Sequence, residues 1–200
     1  MTLNVGNPPA DLTDGVRDVL RRKAEKKQFR TPSLVGMRPE ELAIGTPHGI
    51  YTLTTQDLIA RRGLEAAEFV GWRYFVQRGA DAIAAVEIPA RVDGDIERMM
   101  HVNEGQFVGA TFQAVAAAET MDEIQGSGYE LRLLKILPLY TVALWLRPDE
   151  GDQDILIPIG QCHPAVEPGR VYRPEEFIGA LAEPAEELAK VDTRPRDKTT

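Results

Sequence analysis

The strongest strand signal in the chain is the run Phe69-Val70-Gly71-Trp72-Arg73-Tyr74-Phe75-Val76. Successive side chains of a strand point to opposite faces, so the large even-numbered residues of this run are predicted to share one buried face. The next residues, Arg78-Gly79-Ala80-Asp81, favour a turn. Apolar residues then continue from 82 to 88, where Pro89 ends regular pairing. These features predict a β-hairpin.

A helix and three further strands are predicted after this hairpin. Residues 106–119 have helical spacing and many small side chains, so this helix is able to lie close to a sheet. The segments 129–137, 139–146 and 155–159 are apolar and have short connections, which is typical of an antiparallel meander. We therefore predict an α+β protein whose antiparallel sheet has about five strands, with one long helix packed on a face and peripheral N- and C-terminal helices.

The domain organisation is predicted from charge and from proline and glycine positions. Residues 1–30 are predicted to form a basic arm helix, residues 31–39 a linker, residues 40–190 a single α+β domain and residues 191–200 a disordered tail. The basic residues of the arm are Arg17, Arg21, Arg22, Lys23, Lys26, Lys27 and Arg30. Because its apolar stripe is narrow, we expect the arm to dock either on the domain or on a partner.

Composition limits the classes of partner. The 200 residues include 23 basic and 31 acidic side chains, and the formal net charge of −8 repels phosphate backbones, so we do not expect nucleic-acid binding. No apolar run approaches the roughly 20 residues that cross a bilayer, so we expect no membrane partner. The first residues lack the pattern of a secretory signal, and the lone cysteine, Cys162, fits a reducing compartment. We therefore expect a cytoplasmic protein.

Catalytic and metal-binding signals are weak. Cys162 is a candidate nucleophile only if His48 or His101 folds next to it as a base, and a small buried side chain is the simpler interpretation of this cysteine. A zinc site needs three or four ligands, whereas the only close pair is Cys162-His163, so we predict no metal site. No phosphate-binding loop occurs, and we predict no cofactor. Catalysis is not expected.

Two functional hypotheses follow. The favoured one is a non-catalytic protein-interaction or assembly module that binds a protein partner or itself as a homo-oligomer. Its candidate interface residues are Arg17, Leu20, Arg21, Trp72 and Trp145. The alternative is a small-molecule-binding protein, or a small α+β enzyme, with a pocket between the long helix and the sheet. Its candidate ligand-binding residues are Arg73, Tyr74, Glu87, His101 and Tyr140.

Overall fold

The structure, a computed structural model, describes residues 3–92, 94–124, 128–150 and 153–192. The strands are β1 (Leu3–Val5), β2 (Ala43–Ile44), β3 (His48–Thr52), β4 (Glu68–Arg78), β5 (Asp81–Pro89), β6 (His101–Asn103), β7 (Tyr129–Ile136), β8 (Thr141–Pro148) and β9 (Ile155–Pro158). The α-helices are α1 (Ala10–Glu25), α2 (Thr55–Ile59), α3 (Ile96–Met99), α4 (Gln106–Ala118) and α5 (Pro174–Asp192). Short 3-10 turns occupy Pro32–Leu34, Pro39–Glu41, Leu64–Ala66 and Leu137–Leu139.

The strands form one mixed sheet, so the prediction of an antiparallel sheet of about five strands is wrong. The sheet has nine strands in the order β6-β5-β4-β3-β7-β8-β9, with β2 also pairing with β4 and β1 with β7. Both β1 and β3 run parallel to β7. Strands β1, β2 and β6 are too short to show the alternation of apolar and polar residues by which a strand is predicted. The parallel pairing of β3 with β7 joins residues far apart in the chain, so local sequence patterns do not predict it.

Both predicted antiparallel units are confirmed. Strands β4 and β5 form the hairpin, in which Arg73 lies directly opposite Glu87. Strands β7, β8 and β9 form the meander, with Leu133 opposite Leu144 and Leu144 opposite Ile157. The hairpin turn contains Gly79 at φ +61°, a left-handed conformation that glycine adopts without steric cost.

Helices cover both faces of the sheet, and the terminal helices are not peripheral. Helix α4 packs on one face, where Val108 and Val115 join a cluster with Phe75 and Leu133. The opposite face carries α1 over the hairpin and α5 over β7 to β9. Leu20 of α1 is 1% exposed, so the apolar stripe of the predicted arm is part of the core. Across the described ranges, no helix combines the length and apolarity needed to cross a membrane.

The segments predicted as linker and tail also contain ordered elements. Within residues 31–39, Leu34 and Met37 are buried, and Leu34 packs in the cluster under α1. Val191, the first residue of the predicted tail, belongs to α5. Residues 193–200 of that prediction lie outside the described part of the chain.

A hollow lies beneath α4, between that helix and the sheet. In the strand order, β4 and β3 lie between β5 and β7, so about 14 Å, three strand spacings, separates β5 from β7. The long side chains of Glu87 on β5 and Lys135 on β7 nevertheless meet, with Oε2 and Nζ 2.6 Å apart. This ion pair reaches across two intervening strands on the face that carries α4.

Candidate ligand-binding site

A cavity of about 830 Å³ lies between α4 and the sheet. Its charged floor consists of Arg73, Glu87 and Lys135 from three different strands. Phe107, Val108 and Val142 form apolar walls, and Leu137, Tyr140 and Gln161 lie around the mouth. This volume falls within the range of about 300–1,000 Å³ that small-molecule sites occupy.

Two cations share one carboxylate at the floor. Arg73 donates from Nη1 to Oε1 of Glu87 at 2.9 Å, and Lys135 donates from Nζ to Oε2 at 2.6 Å. The side chains of Glu87 and Lys135 are each 18% exposed, while Arg73 lies deeper. Because one carboxylate balances one of the two cations, the floor carries an excess of one positive charge.

The Arg73 guanidinium is only partly satisfied. Its side chain is 1% exposed, and among the described residues Nε and Nη2 have no hydrogen-bond partner. The rings of Phe75 and Phe107 lie 5.8 Å and 5.4 Å from Cζ. Burial lowers the pKa of Arg73 and the Glu87 carboxylate opposes that shift, but an arginine stays charged in proteins. A bound anion would supply the partners that this buried cation lacks.

His48 lies beside Arg73 without adding charge to the floor. The two residues are direct neighbours in the pairing of β3 with β4, and the His48 and Phe75 ring centroids are 5.2 Å apart. Burial, together with the charges of Arg73 and Lys135 and against a hydrogen bond with the backbone of Thr46, lowers the His48 pKa to about 3. The imidazole is therefore neutral at pH 7.

Acid is expected to destabilise the protein through His48. Its pKa is about 6.5 in an unfolded chain and about 3 when folded, so the stability from keeping it neutral is present above pH 6.5 and is lost as pH falls toward 3. We expect the unfolding free energy of the wild type to fall by about 1.4 kcal/mol more per pH unit between pH 6 and pH 4 than that of His48→Leu. Urea unfolding at a series of pH values measures this difference. Equal slopes for wild type and His48→Leu would contradict the assignment.

An exposed apolar pair stands at the mouth of the cavity. Tyr140 is 85% exposed and Leu137 is 65% exposed; Leu137 begins the turn Leu137–Leu139 and Tyr140 directly follows it. The backbone of Tyr140 is left-handed at φ +49°, a conformation that costs a non-glycine residue roughly 1–2 kcal/mol. The turn therefore presents an aromatic ring at the entrance.

The structure brings three of the five predicted ligand-binding residues to the cavity. Arg73 and Glu87 are at the floor and Tyr140 is at the mouth. Tyr74 lies on the opposite face beneath α1, where its hydroxyl is 3.2 Å from Thr13 Oγ1. His101 pairs with Glu87 in the register of β5 and β6, but it is exposed and does not line the cavity.

Cys162 lies away from the cavity. The Cys162 thiol donates to the Val166 carbonyl oxygen at 3.3 Å, and burial raises its pKa. Its side chain packs against the cluster under α5, on the face opposite α4. In the part of the chain that the structure describes, no three His, Cys, Asp or Glu side chains converge to hold a metal ion.

The predicted interface residues are divided between core and surface. Leu20 and Trp145 are buried, and Trp145 donates from Nε1 to Asp154 Oδ1 at 2.8 Å. Trp72 is half-buried on the same face as Trp145. Arg17 and Arg21 are exposed on α1 and form ion pairs with Asp14 and Asp18. Only part of this set is therefore available to a partner.

Lys135, Phe107 and Leu137 were not predicted as site residues. Lys135 follows Tyr129, Leu131 and Leu133 on the same face of β7, so it is a lone charge at a core-facing position. Glu87 similarly follows Ala85 on β5. A charge at an inward position of an apolar strand requires a partner, so this rule marks each residue as a candidate without showing which residues pair.

No protein-family model, curated protein or solved structure matches the chain. The function therefore has to be inferred from the cavity itself. Its distinguishing features are the excess positive charge of the floor and the Arg73 N–H groups that have no partner among the described residues.

Proposed function

We propose that this protein binds a small anionic molecule in the cavity between α4 and the sheet. The observation that carries the proposal is Arg73, a buried cation at the floor whose Nε and Nη2 lack partners within the described residues. Leaving a buried donor unsatisfied costs about 1–3 kcal/mol, and more for a charged group. A bound anion would accept hydrogen bonds from these donors, which explains why a buried arginine with unsatisfied donors is present here.

The other walls support a ligand with an apolar body. Phe107 and Val108 of α4 face Val142 of β8 across the cavity, so carbon atoms of a ligand would be removed from water there. A few polar groups in an otherwise apolar concave site are typical of small-molecule binding. The proposal is one of binding rather than catalysis, since Cys162 lies on the other face of the sheet.

The interaction module is a second candidate, and the exposed pair Leu137 and Tyr140 favours it. Exposed aromatic and aliphatic side chains side by side are able to anchor a protein partner or a second copy of the chain. Light scattering separates the candidates. A solution mass above the 22.1 kDa of one chain that falls in a Leu137→Ser/Tyr140→Ser variant would support self-association. A mass of one chain in both proteins would argue against it.

The binding proposal is tested with 1-anilinonaphthalene-8-sulfonate, a fluorescent monoanion with an apolar ring system. We expect saturable binding of one probe molecule per folded chain, with enhanced fluorescence. Sodium octanoate should displace it, because both anions would need Arg73 and Lys135. Absence of saturable binding would contradict the proposal.

A further inference from the structure

We infer that the ligand is a monocarboxylate with an apolar body, and that its carboxylate is held at the floor by Arg73 and Lys135. This inference rests on the proposed function and goes further by assigning the head group and its charge. The charge balance of the floor, the free edge of the guanidinium and the apolar walls support it independently.

The charge balance favours a monoanion. Arg73 and Lys135 each contribute one positive charge and Glu87 contributes one negative charge, while the adjacent His48 is buried and uncharged at neutral pH. One carboxylate neutralises the remaining charge. A phosphate monoester near pH 8 carries two negative charges and would leave one of them uncompensated inside the protein, which is unfavourable. Glu104, exposed near the mouth, adds further repulsion toward a dianion.

The free edge of Arg73 matches a carboxylate. Its Nη1 is used by Glu87, and the nitrogens left without a partner in the described structure are Nε and Nη2. These two nitrogens form one side of the planar guanidinium, and their N–H bonds are nearly parallel. That edge suits the two oxygens of a carboxylate in a bidentate pair.

The apolar walls and the mouth suit a hydrocarbon or aromatic body. Phe107 is half-buried and its ring centroid lies 5.4 Å from Arg73 Cζ, so an apolar ring borders the position of the head group. The body then packs against Val108 and Val142 and extends toward Leu137 and Tyr140. Ligand contact at the mouth would cover side chains that are otherwise exposed to water.

Three probes with the same eight-carbon chain test the head group by calorimetric titration of the full chain at pH 8. They are octanoate, octyl phosphate and octanamide, which carry one, two and no negative charges. We expect octanoate to bind at least about tenfold more tightly than either of the others, a difference equivalent to about 1.4 kcal/mol.

The outcomes distinguish failure of the monocarboxylate assignment from failure of the proposed function. If octyl phosphate binds as tightly as octanoate or more tightly, the monocarboxylate assignment is wrong while anion binding stands. If octanamide matches octanoate, the floor does not recognise charge and both are wrong. If no eight-carbon probe binds but the fluorescent sulfonate does, only the monocarboxylate assignment fails.

A substitution at the cavity floor provides a second test, in which the preference should move from octanoate toward octyl phosphate. Glu87→Gln leaves two cations without a carboxylate, so the preference should shift toward octyl phosphate by at least about tenfold relative to wild type. Arg132→Met alters a similarly buried arginine on the other face of the sheet and should leave the order of the three probes unchanged. An unshifted preference in Glu87→Gln would overturn the charge argument even if the wild-type order were as expected.

Discussion

Replacing Arg73 by methionine is expected to weaken binding of the fluorescent sulfonate by at least about 30-fold. Methionine keeps an unbranched apolar side chain between Phe75 and Phe107 but removes both free N–H groups. A hydrogen bond to a charged group contributes about 1.5–3 kcal/mol, and about 1.4 kcal/mol corresponds to a tenfold change in affinity. Fluorescence titration of the two proteins measures the difference.

The same substitution should leave stability unchanged or increase it. Glu87 retains its ion pair with Lys135, whereas the unsatisfied donors of Arg73 disappear. Replacing buried charge by an apolar group is often neutral or stabilising when no charge is left unpaired. Weaker binding without a loss of stability would show that Arg73 contributes to binding rather than to folding.

Arg132→Met is the matched control for this prediction. Arg132 is also buried and also pairs with a glutamate, Glu130, at 2.6 Å, but it packs against Tyr51 and Trp145 on the face opposite the cavity. This variant should lose stability through its lost packing while binding the probe as the wild type does. Equal losses of affinity in the two variants, or unchanged affinity in Arg73→Met, would contradict the assignment.

Replacing Glu87 by glutamine is expected to have the largest effect on stability. The substitution leaves Arg73 and Lys135 without their shared carboxylate, and Arg73 is too deeply buried for water to compensate. Breaking a buried ion pair by removing one partner costs about 3–5 kcal/mol. Urea unfolding should therefore show a free energy of unfolding lower by that amount.

An exposed glutamate provides the comparison for Glu87. Glu41 forms an ion pair with Arg38 at the surface, and a surface pair of this kind contributes about 0–1 kcal/mol, so Glu41→Gln should be nearly neutral. Saturating octanoate should raise the stability of Glu87→Gln more than that of the wild type, since the anion would replace the missing charge. A loss below about 1 kcal/mol in Glu87→Gln would mean that the floor is not a coupled charge cluster.

The local parts of the fold could be predicted because their signals lie within short stretches of sequence. Alternation from Val70 to Val76 identifies β4, and the turn around Gly79 identifies its partner strand. Helical spacing and small residues identify α4. Arg73 and Glu87 could be proposed as ligand-binding residues because they interrupt apolar strands.

The remaining features depend on long-range packing. The parallel pairing of β3 with β7 brings Lys135 toward the hairpin, and no short stretch of sequence shows this pairing. The long side chains of Lys135 and Glu87 then meet across the two intervening strands, at the floor of the cavity. The narrow stripe of α1 was ambiguous because the sequence does not show which element covers the hairpin face carrying Tyr74.

The central claim is that the half-paired Arg73 guanidinium receives the anionic group of a ligand. The most direct test is a nuclear magnetic resonance titration with octanoate that follows the arginine Nε–H signals, with Arg73 assigned by its loss in Arg73→Met. We predict that the Arg73 signal shifts and saturates at the dissociation constant found by calorimetry, while the Arg132 signal stays in place. An Arg73 signal that does not move while octanoate binds would show that the anion is held elsewhere.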